Sequence, residues 1–381
     1  MRLTRRTTLA LSGAALARPA RAAQPRLGVL TTLSGPAADG AGTGSVLAAR
    51  MAIADAGADV ELLVADMGER PDVGAARARA WFDQGVAAVL DVPNSATALA
   101  VAELARTRNR LALFSGAGST ALTAGCPERV IQWTYNTRAL AVALARGMVA
   151  DGGRRWFFLT VDYAFGHALQ ADATAVVQAG GGVVLGARVF PPSTLDFAAL
   201  LLDAQSSGAD VIGLACTGAP FETLVKQAAE FALQSRLAAL LCLTTNIHAI
   251  GLAAAQGLLV AAPFYHGRDD GTRAFTARFA PANRGIPPTM VHAGVYAVTR
   301  HWLRAASGRD VLDGVGMAAA MKALPADDTL FQRSELRADG SVAHPMQIYR
   351  VKRLVESGGD WDFYTPIRTI DDAYGPPPRC D

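Results

Sequence analysis

Short apolar runs alternate with longer stretches of helical period along most of this chain. Apolar-rich runs at 27–31, 60–65, 87–92 and 110–114 predict strands. The segments between them, 45–56, 73–84 and 96–107, predict helices, the last with Leu99, Val101, Ala102 and Leu104 turned towards a sheet. A second series repeats the pattern, with strands at 156–161, 183–190, 211–215 and 239–243 and helices at 168–179, 197–205 and 221–231. Unbroken apolar strands separated by helices are the signature of a parallel sheet covered on both faces. The chain therefore reads as α/β, with two Rossmann-like series.

The last third differs. Segments 272–279, 289–306 and 314–323 are helical, while 335–337 and 346–351 read as a hairpin turning at Asp339-Gly340. If these helices return to cover the first sheet, two lobes are joined by three crossovers. The division is then 23–135 plus 267–340 for one lobe and 136–266 plus 341–375 for the other, with 376–381 a frayed end. Lobes of this kind bind at the carboxyl ends of their strands, so the expected site is an interlobe cleft that closes by hinging.

Charge and cysteine content narrow the class. The paired arginines of Thr4-Arg5-Arg6-Thr7, the short apolar run that follows and Ala20-Arg21-Ala22 read as a cleavable twin-arginine export signal over 1–22. It carries five arginines and no acid, so without it the formal charge falls from +3 to −2. This removes any case for a nucleic-acid partner, and no later segment is long and apolar enough to predict membrane insertion. Cys216 and Cys242 end apolar runs and read as core, whereas Cys126 and Cys380 sit in loop-like sequence and are the better candidates for a bridge.

Candidate chemistry sits in the loops after strands. Asn94-Ser95 follows the third strand and Ser115-Gly116-Ala117-Gly118-Ser119 the fourth, each placing hydroxyls and backbone amides near a helix start. Such ends either hold a carboxylate or cap their helix. Tyr163 and Phe165, and Phe264 where the chain should cross between lobes, either close over a ligand or fill the core. Gly218 and Asn246 follow the next two strands and offer backbone or amide contacts. Gly40, Gly42 and Gly44 stand too far past their strand for a dinucleotide fingerprint. No nucleophile elbow, paired metal-ligand spacing or histidine cluster occurs, so the residues support neither a catalytic nor a metal site, and no cofactor is expected.

These residues together resemble the periplasmic substrate-binding proteins of branched-chain-amino-acid-type ABC transporters, the leucine/isoleucine/valine-binding family. The resemblance runs through the Ser34-Gly35-Pro36 loop, Asp66, Asn94-Ser95 with Ala98, Ser115-x-Ala117-x-Ser119, Asp162-Tyr163-x-Phe165-Gly166, Gly257-Leu258-Leu259 and Ala293-Gly294-Val295-Tyr296. It implies a monomeric type I binding fold in the periplasm that delivers a small carboxylate to a permease and its ATPase. By the same resemblance Ser95, Ala117 and Ser119 hold the carboxylate, Phe165 packs on the ligand and Gly218 touches it from the other side. The departure is the loop Thr244-Thr245-Asn246-Ile247-His248, which lacks the acid that holds an ammonium group in amino-acid binders of the family. Either the solute lacks the amine, or Asp39 supplies the charge from the opposite lobe. A ligand sensor of the same fold and a periplasmic cofactor enzyme are the alternatives.

Overall fold

The computed structural model describes residues 24–35 and 38–380, so the export signal read at 1–22 and Pro36 of the first loop lie outside the described residues. Five parallel strands form the first sheet: β1 (Arg26–Thr31), β2 (Glu61–Asp66), β3 (Ala88–Asp91), β4 (Leu111–Phe114) and β5 (Val130–Gln132). Their order is β2-β1-β3-β4-β5. Helices α1 (Gly42–Asp55), α2 (Pro71–Asp83) and α3 (Ser95–Arg108) make the crossovers. All four residues of β3 and of β4 are buried, as expected of strands with helices on both faces.

After α4 (Thr137–Ala150) the topology repeats through β6 (Arg155–Val161), β7 (Val183–Phe190), β8 (Val211–Ala215), β9 (Arg236–Ala239) and β10 (Leu259–Ala262). The intervening helices are α5 (Ala164–Ala179), α6 (Ala198–Ser206), α7 (Gly218–Glu230) and the short α8 (Thr244–Ile250) and α9 (Leu252–Ala255). The chain then returns to the first lobe, where α10 (Asp270–Ala282) and α11 (Met290–Ala306) pack on α1 and α12 (Gly314–Lys322) packs on β4. Three connections thus pass between the sheets, from β5 to α4, from β10 to α10, and out of the ribbon β11 (Glu335–Leu336) and β12 (Val342–Ala343).

The expected hairpin is corrected here. The turn at Asp339-Gly340 exists, but it joins β11 to β12. Segment 346–351 is β13 (Met346–Val351), which pairs antiparallel with β10 and with β14 (Tyr364–Ile370), giving the order β14-β13-β10-β9-β8-β6-β7. The expected strand at 239–243 is β9, ending at Ala239, with 240–243 leading into α8. The tail is also corrected: a Cys126–Cys380 disulfide fastens it to the first lobe, and the Tyr374 hydroxyl donates to the Thr134 carbonyl. Cys216 and Cys242 are free and buried.

Candidate functional site

In each parallel set the strand order reverses direction beside its first strand, between β1 and β3 and between β6 and β8. Loops leaving such a reversal diverge to opposite faces and open a crevice at the carboxyl ends of the strands. The two crevices face one another across a cavity of about 490 Å³, lined from the first lobe by Thr32, Met67, Glu69, Asn94, Ser95 and Gly116, among others. Tyr163, Phe165, Gly218, Leu241, Leu243 and Asn246 line it from the second.

Local chemistry sets these positions. Asp91 and Val92 both adopt left-handed backbone, at φ 75° and 50°, which turns the chain sharply from β3 into Pro93. For a β-branched residue such as Val92 this conformation costs about 1–2 kcal/mol. Asn94 then caps α3, its Oδ1 accepting from the Thr97 amide at 3.0 Å. The Ser95 hydroxyl, next in the turn, makes no hydrogen bond with a described residue. On the neighbouring loop, Thr289 donates to the Gly40 carbonyl at 2.8 Å. The His292 Nδ1 accepts from the Thr289 amide, so its Nε2 carries the proton and donates to Ala41 at 2.8 Å. Burial pushes that imidazole down to about 4, so it is a neutral strut for the loop entering α1.

Behind the lining, the Asp91 carboxyl is fully buried beside the Thr31 and Ser45 hydroxyls, with no partner in hydrogen-bond geometry. Desolvation raises it to about 6.

Six of the residues expected from sequence line the cavity: Asn94, Ser95, Tyr163, Phe165, Gly218 and Asn246. Four do not. Ala117 and Ser119 are buried on either side of Gly118, where an added Cβ would come within 2.6 Å of Tyr135 and 3.0 Å of Phe165. The Ala117 carbonyl accepts from Gln132, and the Ser119 hydroxyl caps the turn at Ala121. Asp39 is at the surface, paired with Arg284 at 2.8 Å. Phe264 is buried against Phe331. The polar atoms of Asn246 are spent locally, Oδ1 accepting from the Leu243 amide and Nδ2 donating to Glu222. Sequence reasoning passed over Glu69, Met67 and Tyr135, although Glu69 also follows a strand.

A second hollow, of about 440 Å³, lies against β13, β14 and the chain leaving β10. Lys352 there holds Asp362 and the Tyr265 hydroxyl donates to the Trp361 carbonyl, while the Tyr349 and Tyr364 hydroxyls and His266 Nδ1 are buried without a partner among the described residues. The interlobe cavity is the candidate site.

Residues 24–360 match the periplasmic binding protein family. The chain belongs to that family. It has the type I fold and is related to the branched-chain-amino-acid ABC-transporter binding proteins, which carry solutes and are not enzymes. A periplasmic binding protein from Burkholderia mallei is 35% identical, with a TM-score of 0.87 over 92% of this chain and 96% of that one. A branched-chain amino acid ABC transporter ligand-binding protein from Burkholderia xenovorans is also 35% identical, with a TM-score of 0.84 over 93% and 97%. An ABC-transporter solute-binding protein from R. palustris in complex with benzoate shares the fold at 18% identity, with a TM-score of 0.80 over 91% and 96%. No curated protein matches the chain. Among the described residues no helix is long and apolar enough to cross a membrane. The protein is a periplasmic solute-binding component of the ABC-transporter type, a class that works with a permease and an ATPase.

Proposed function

We propose that this binding protein captures a small carboxylate with an apolar body in the interlobe cleft and releases it to its permease, after export directed by residues 1–22. The observation that carries this reading is the convergence of five helix N-termini on the cavity, with no lysine, arginine or histidine among the described residues that line it. The starts of α1, α2, α3, α5 and α7 contribute Ala41, Pro71, Ser95, Phe165 and Gly218 to the wall. First-turn amides and aligned peptide dipoles favour an anion without a buried counter-charge. At α5 and α7 no side chain caps these amides.

Val161, Tyr163, Phe165, Leu241 and Leu243 form the opposite wall and suit an apolar ligand body. The benzoate complex of the R. palustris protein supports the idea that this fold accepts an acid with no amine. A thermal-shift panel of residues 23–381 against small acids and their primary amides tests the reading. At a hundred times its dissociation constant a ligand stabilises by about 2.7 kcal/mol. Acids should raise Tm and their amides should not; equal shifts from both would contradict a carboxylate site.

A further inference from the structure

Among the described residues, Glu69 is the one formally charged residue that lines the interlobe cavity. Its carboxylate makes no hydrogen bond or ion pair with any described residue. The adjacent Arg70 is committed to Asp72 at 2.7 Å and does not neutralise it. The Glu69 side chain is exposed, but the backbone that carries it is fixed. Asp66 accepts from the Leu33 amide, the Ser34 hydroxyl and the Gly68 amide, which ties the loops after β1 and β2 together. Gly68 and Glu69 then take left-handed backbone, at φ 54° and 57°, before Pro71 starts α2. Such a conformation suits glycine and is unfavourable for a glutamate. Across the cleft stands Tyr163, partly buried on the second lobe, whose hydroxyl is pushed upward chiefly by desolvation and then by Cys216 and the Glu69 charge.

The strand order fixes the spacing. Ser95 follows β3 and Glu69 follows β2, and β1 lies between them. Two strand spacings are about 10 Å. The loops that carry Glu69 and Ser95 therefore leave the sheet about 10 Å apart. An α-amino group, one carbon from its carboxylate, does not bridge that gap.

We infer that Glu69 selects the solute by pairing with a cationic nitrogen set several atoms away from the carboxylate, so that the preferred ligand is an extended zwitterion such as an ω-amino acid. This rests on the carboxylate reading above and relocates the ammonium site from loop 244–248, which carries no acid, to the first lobe.

Isothermal titration with matched probes tests it: 5-aminopentanoate against pentanoate, 4-(aminomethyl)benzoate against 4-methylbenzoate, and leucine, each with the wild type and with Glu69→Gln. The expected result is at least tenfold tighter wild-type binding of the two ω-amino probes than of their amine-free partners and than of leucine. Glu69→Gln should erase that preference while changing the amine-free acids less than twofold. Equal loss for both series in Glu69→Gln would make the residue a latch to Tyr163 and overturn the proposal. So would wild-type preference for the amine-free acids or for leucine, with the carboxylate reading left standing. Failure of every probe to bind a wild-type protein that melts cooperatively would overturn both.

Discussion

At the scale of single residues the site combines one group with a free hydrogen-bonding role and one that carries a burial penalty. Ser95 offers a hydroxyl at the start of α3, and its replacement by alanine should weaken acid binding by about 1.5–3 kcal/mol, as for a hydrogen bond to a charged group, with Tm nearly unchanged. Titration calorimetry with the best acid reads this directly. Asp91 behind it is the converse. Its carboxyl is raised to about 6, above its unfolded range, so the folded state keeps the proton longer than the unfolded chain. Its contribution is therefore present at acid pH and is lost as pH rises through about 6. A shift of this size is on the order of 3 kcal/mol. Asp91→Asn should raise Tm at pH 7.5, and the difference between variant and wild type should shrink towards pH 4; a pH-independent difference would contradict the assignment. The legible and illegible residues divide on the same physics. Asn94, Ser95, Tyr163 and Phe165 are readable because they sit where helices start after buried strands. The fate of Asp39 is not, since its partner Arg284 lies 245 positions away.

Among the elements, those with continuous burial were the most legible. Four and five consecutive buried residues mark β3 and β8, and their sequence alone announces them. By contrast β5 has three residues, and β14 is an exposed edge strand interrupted by Pro366, so neither carries an apolar run. The same weakness let 346–351 be assigned to a hairpin: an isolated apolar alternation does not say which edge it will join, and the answer came from β10. Helix α3 connects element stability to the site. Asn94→Ala removes its cap and should cost about 1 kcal/mol in denaturant unfolding. Because the capped turn also presents Ser95, acid affinity should fall in the same variant.

Over the whole molecule, two sheets with the same topology meet at their carboxyl edges, and the chain passes between them three times before its tail returns to the first lobe. Residues 371–380 leave β14, place Asp372 against Arg146 and Tyr374 under the Thr134 carbonyl, and end in the bridge to Cys126. The closed loop spans 254 positions. In the chain-entropy account a loop this long stabilises by about 5 kcal/mol. Cys126→Ser with Cys380→Ser should therefore lower Tm measurably while leaving acid affinity within about twofold, because neither cysteine lines the cavity. A Tm insensitive to the double substitution would show that the bridge contributes nothing to the fold.

On the proposed function the solute lies between the lobes with its carboxylate at the start of α3. A crystal structure with the acid that most raises Tm tests this most directly. Carboxylate oxygens are expected within hydrogen-bond distance of the Ser95 hydroxyl, with the ligand body against Phe165 and Leu243. A ligand seated instead in the hollow beside Tyr265 and Trp361, or lying in the cleft with its carboxylate turned away from α3, would contradict it.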